Sequence, residues 1–83
     1  MPKTIFSKEQ ETLQELLCAL RKEKKLTQEA LAKRLGVPQS FVSKYESGER
    51  RLDLVELRQV CMAAGISLSV FIRRFEAKLG PEG

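Results

Sequence analysis

Apolar residues recur at spacings of three and four along the chain, and no segment alternates apolar with polar positions as a half-buried strand would. The pattern predicts an all-α protein. Ser7 followed by Gln10 fits a capping box, and Leu13, Leu16, Leu17 and Leu20 form one stripe, which predicts a first helix over about residues 8–24. Thr27 is suited to cap a second helix by accepting from the backbone N–H of Glu29 or Ala30. That helix should cover 28–35 and end at Gly36, which tolerates a left-handed conformation. Pro38 suits the first turn of a third helix over 38–47, ending at Gly48. Asp53 and Glu56 repeat the capping-box spacing ahead of a fourth helix, with Leu54, Leu57, Cys61 and Ala64 on one face up to Gly65. Ser67 should cap a fifth, which carries Leu68, Phe71, Ile72, Phe75 and Leu79 before Gly80 and Pro81.

Helices 2 and 3 are short and separated by only two or three residues, the spacing of a helix-turn-helix. On helix 3, at 100° per residue, Gln39, Ser40, Ser43, Lys44 and Ser47 fall within an arc of about 140°. Phe41, Val42 and Tyr45 take the other side. One face is thus free to be buried while the other offers an amide, an ammonium and small hydroxyls to a partner. Those groups match DNA base edges: Gln pairs with adenine N6 and N7, Lys reaches guanine O6 and N7, and Ser suits several acceptors.

Composition narrows the classes of function. Eighty-three residues, 42% apolar and 31% charged, suit one globular domain, residues 1–83 with a core over about 8–79. With no His and a single Asp, Ser-His-Asp triads and Cys-His pairs are excluded, so an enzyme is not expected. Cys18 and Cys61 fall short of a zinc set or a CxxC motif and are expected to be small buried hydrophobes. No metal or cofactor is expected. Neither a membrane-length apolar run nor the apolar centre of a signal peptide is present, which points to the cytoplasm.

The net charge of +4 is unevenly placed. Residues 21–51 carry nine Lys and Arg against four Glu, an excess of +5, whereas 1–20 sum to −1 and 52–83 to zero. A middle third of that sign attracts a polyanion.

The stretch from Arg21 to Phe71, including TQEALA, the Gly36 turn, VSKYESG and AGIS, resembles the Xre family, the Cro and lambda-repressor type of helix-turn-helix. The resemblance implies a compact five-helix lambda-repressor-like bundle that binds double-stranded operator DNA, usually as a dimer, to regulate transcription. It implies that Gln28 contacts a phosphate at the start of helix 2, where N–H groups and the helix dipole favour anions. Gln39 and Ser40, with Ser43 and Lys44 one turn on, would read bases. Ser47, Arg50 and Arg51 would approach the DNA backbone. Arg21 and Glu46 match a family pair that ties helix 1 to the end of helix 3, and partial burial of that pair is expected.

The reading is therefore a repressor or autoregulator that binds an inverted repeat. The alternative is an antitoxin or adaptor that uses the same bundle to hold a protein partner. No second domain for a small-molecule ligand or for self-cleavage is expected. Helix 5 is the candidate homodimer interface: its apolar stripe extends about 16 Å, and Ile72, Phe75 and Leu79 lie at or beyond the end that the bundle needs. The competing cover for those residues is the N-terminal end of the same chain, with Ile5, Phe6 and Leu13.

Overall fold

The computed structural model describes residues 8–80 and contains five helices: α1 (Lys8–Glu23), α2 (Gln28–Leu35), α3 (Gln39–Ser47), α4 (Leu54–Ala64) and α5 (Leu68–Leu79). No strand occurs among the described residues. Ser7, Ile5, Phe6 and Pro81, to which the sequence assigns a cap, an apolar cover and a helix stop, lie outside them.

Local chemistry accounts for most helix ends. Thr27 Oγ1 accepts from the Ala30 N–H at 3.0 Å, and Ser67 Oγ accepts from the Val70 N–H at 3.2 Å. At α4 the expected capping box is complete. Asp53 Oδ1 accepts from the Glu56 N–H at 2.7 Å, and Glu56 Oε1 accepts from the Asp53 N–H at 3.0 Å. Pro38 differs from expectation: it sits at the N-cap in an extended conformation, so α3 starts one residue later and has no side-chain cap there.

Helix α1 ends at Glu23, and the Leu26 N–H then donates to the Arg21 carbonyl while the Lys25 N–H donates to that of Lys22. This closure is the one that Gly36 and Gly65 provide for α2 and α4. Here the left-handed residue is Lys25, at φ 58°, the one non-glycine with positive φ among the described residues.

The core draws on every helix: Leu17 and Leu20 from α1, Leu31 and Ala32 from α2, Val42 and Tyr45 from α3, Leu57, Val60, Cys61 and Ala64 from α4, and Phe71 from α5. Helix α2 packs on α3 and α4, and α1 and α4 pack on α5. The expected face of α4 is buried except at its first residue. Leu54, the first residue of the helix, is 66% exposed. Val55, Met62 and Val70 are also exposed. At the far end of α2 the Arg34 guanidinium donates to the Ala63 carbonyl at 2.9 Å, satisfying one of the last acceptors of α4. No single helix is long and apolar enough to cross a membrane among the described residues.

Candidate nucleic-acid interface

Helix α3 is divided as its sequence requires. Val42 and Tyr45 are buried and Phe41 half-buried, while Gln39, Ser40, Lys44 and Ser47 are exposed and Ser43 is half-buried. The Phe41 and Tyr45 rings meet edge to face, 5.8 Å apart. The Tyr45 hydroxyl is buried without a hydrogen-bond partner among the described residues, and burial pushes its ionisation well above the ordinary phenol range.

Four residues far apart in sequence join behind the exposed face. Arg21 grips Glu46 with two hydrogen bonds, Nε to Oε2 at 2.7 Å and Nη2 to Oε1 at 3.1 Å. The pair is partly buried, with side chains 11% and 7% exposed. Arg21 Nη1 also donates to the Leu26 carbonyl, so one guanidinium ties together α1, the turn before α2 and the end of α3. Gln28 Nε2 donates to Glu46 Oε1 at 3.0 Å, and Gln28 Oε1 accepts from Gln39 Nε2 at 3.2 Å. Burial alone would raise the Glu46 carboxyl, but the hydrogen bonds from Arg21 and Gln28 outweigh it and hold the group below the usual carboxylate range. The arrangement fixes Gln39 at the start of α3 by a relay of polar contacts that ends in a buried ion pair.

The other expected residues fall into three groups. Ser40, Ser43 and Lys44 have no side-chain partner among the described residues, which leaves their donors available. The Ser47 hydroxyl donates to the Lys44 carbonyl at 3.1 Å, capping the end of α3. Arg51 is exposed beside it.

Arg50, expected at a phosphate, is instead engaged within the protein. Its Nη1 and Nη2 donate to Glu56 Oε1 and Oε2 at 3.1 and 2.9 Å, Nη1 also donates to the Arg51 carbonyl, and its Cζ lies 4.5 Å from the centre of the Phe41 ring. A carboxylate already occupies the fork that a phosphate would need. The hydrogen bonds to Arg50 and to the Asp53 N–H lower the Glu56 carboxyl.

The charge excess of residues 21–51 is thereby redistributed: Arg21 and Arg50 are neutralised by Glu46 and Glu56, and Lys22, Lys24, Lys25, Lys33 and Lys44 remain exposed. Lys24 and Lys25, unassigned from sequence, lie three and two residues before the Thr27 cap of α2. The signal that could have found them is their position next to a helix N-terminus suited to anions. On α5, Ile72 packs against the core, and Phe75 and Leu79 are half-buried rather than exposed. Cys61 is fully buried as expected, and Cys18 is only half-buried, its sulfur 3.8 Å from Arg21 Nη2. No group of three or more metal-ligating side chains occurs among the described residues.

The helix-turn-helix family model matches residues 17–71. An XRE-family like protein from Pseudomonas syringae pv. tomato str. DC3000 is 41% identical, with a TM-score of 0.85 and 94% of each chain covered. A point mutant of the restriction-modification controller protein C.Esp1396I has a TM-score of 0.82 at 23% identity, covering 88% of this chain and 97% of that one. The clp gene regulator ClgR from Corynebacterium glutamicum has a TM-score of 0.77 at 24% identity, covering 92% and 81%. These last two share the fold. No curated protein matches the chain.

Proposed function

The chain belongs to the XRE family of helix-turn-helix proteins, and from that premise we propose that it is a sequence-specific DNA-binding transcriptional regulator. It acts as a repressor or autoregulator at an inverted-repeat operator. The observation that carries this reading is the junction of Gln28 and Gln39. One amide at the start of α2 and one at the start of α3 are hydrogen-bonded to each other and backed by Arg21–Glu46, so a phosphate contact and a base contact are set in one geometry before DNA arrives. Preorganisation of this kind lowers the entropy cost of docking. Gln39, Ser40, Ser43 and Lys44 read base edges in the major groove. Gln28, Ser47 and Arg51 bind the backbone, with Ser47 limited to the capacity left by its bond to Lys44. Two relatives of the same fold, a restriction-modification controller and a clp gene regulator, are regulators by name and support the same reading.

The operator-bound form is a homodimer that pairs Phe75 and Leu79, with Ile72 at the edge of the contact, across a two-fold axis. Such a contact sets two α3 helices about 34 Å apart, one turn of DNA. Incubating the full chain with a random pool of duplex DNA and sequencing the bound fraction tests the proposal. An enriched inverted repeat is expected, and a pool that stays random overturns it. Sedimentation at micromolar concentration tests the dimer, which Phe75→Glu should dissociate. A monomer unchanged by that substitution removes the interface.

A further inference from the structure

The turn between α3 and α4, residues 48–53, has little backbone bonding of its own. Its main-chain links include the Glu49 N–H to Ser47 Oγ, the Arg50 N–H to the Lys44 carbonyl, the Asp53 N–H to Glu56 and the Leu57 N–H to the Asp53 carbonyl, and none of them joins its centre to both flanking helices. The Arg50 side chain supplies the rest. Its guanidinium lies over Phe41, in the first turn of the recognition helix, whose ring rests on buried Tyr45, and so it is referenced to that helix. The same group is bidentate with Glu56, the residue that also closes the capping box, and so it is referenced to the first turn of α4. A third bond, to the Arg51 carbonyl, fixes the backbone of the residue that follows. Only a planar, forked cation can stack and chelate at once.

We propose that Arg50 is a positioning residue, not a phosphate ligand: with Phe41 and Glu56 it clamps the α3–α4 turn so that Arg51 is presented to the DNA backbone. This rests on the DNA-binding reading above. It carries a consequence opposite in sign to a direct contact. Were Arg50 a phosphate ligand, removing the neighbouring Glu56 charge would free it and strengthen binding. In a clamp, removing Glu56 is as damaging as removing Arg50.

Full-length wild type, Arg50→Gln, Arg50→Lys, Glu56→Gln and the Arg50→Gln/Glu56→Gln double variant would be titrated against a fluorescent duplex from the enriched pool, below the melting temperature of every variant. Gln at position 56 keeps an oxygen for the Asp53 N–H, so the cap of α4 survives. Arg50→Gln and Glu56→Gln should each weaken binding about 3- to 30-fold, with the double variant no weaker than the worse single one. Arg50→Lys should not rescue. In the absence of DNA, Glu56→Gln should speed hydrogen exchange at the Arg50 amide, whose bond to the Lys44 carbonyl does not involve residue 56. Unchanged or tighter binding by Glu56→Gln, or full binding by Arg50→Lys, overturns the clamp. A wild type that binds no duplex refutes the DNA-binding reading instead, and the clamp then stands or falls on exchange: unchanged rates in Glu56→Gln overturn it.

Discussion

Replacing Arg21 with alanine should be among the most damaging single changes in the molecule. The substitution removes both donors from Glu46, leaving a carboxylate 7% exposed with Gln28 as its remaining strong partner, and strips the Leu26 carbonyl of its side-chain donor. Breaking a buried pair by deleting one partner costs about 3–5 kcal/mol. At about 0.05–0.15 kcal/mol per residue, a chain of this length has roughly 4–12 kcal/mol in total. For a domain of this size each kcal/mol is worth about 4–8 °C, so the melting temperature should fall by at least about 12 °C. Arg74→Ala is the internal control. Its pair with Glu23 is 3.1 Å long but 42% and 50% exposed, and such a pair contributes under about 1 kcal/mol.

The same pair has a pH signature. In the wild type the Glu46 carboxyl lies below its unfolded value, so its contribution is complete above the ordinary carboxylate range and is lost as pH falls through the folded value. Without Arg21, burial dominates and raises that carboxyl, and protonation then relieves the variant. The gap in melting temperature between wild type and Arg21→Ala should therefore narrow between pH 7 and pH 4. Adding Glu46→Gln to the variant should recover part of the loss at pH 7. Thermal melts by circular dichroism measure all of this. An Arg21→Ala protein that melts no lower than Arg74→Ala, or a gap that widens in acid, would refute the argument.

Lys25→Gly should raise stability by a few tenths to about 1 kcal/mol, because glycine relieves the strain at φ 58° for less than that strain costs, and a lower melting temperature would contradict this. Tyr45→Phe should be neutral or slightly stabilising, since its buried hydroxyl has no hydrogen-bond partner among the described residues; a loss above about 1 kcal/mol would mean that the hydroxyl has a partner. Urea titrations should show about 1 kcal/mol lost between pH 8 and pH 10 on account of Cys61. Burial pushes the Cys61 thiol up to about 11, so the unfolded chain gives up its proton first and stability drains as pH rises towards that value. A flat profile over that interval would contradict the assignment.

The five helices were legible because their caps and stops are local: Thr27, Asp53 and Ser67 each bond within three residues of themselves. The buried face of α3 was legible for the same reason, its period being set by the helix itself. Contacts between elements were less so. The extension of Arg21–Glu46 through Gln28 to Gln39 depends on how α1, α2 and α3 pack, and no spacing in the chain encodes it. The engagement of Arg50 was not legible, because a count of charges does not see Glu56, six residues on, turned back across the loop. Leu54 belonged to the apolar period of α4 yet is exposed, since periodicity assigns a face and not the reach of the elements that cover it. The Pro38 boundary missed by one residue, within the ordinary uncertainty between the N-cap and the first helical position.

The central claim is that α3 reads bases while its flanks bind phosphates, and it is tested most directly by measuring Gln39→Ala and Arg51→Ala against a panel of single-base variants of the selected operator. Gln39→Ala should lose discrimination at one or two base pairs in each half-site, by about 1–3 kcal/mol, and leave the rest of the preference intact. Arg51→Ala should weaken every sequence alike and flatten the salt dependence by about one ion. If both variants lose affinity uniformly across the panel, α3 is not the reader.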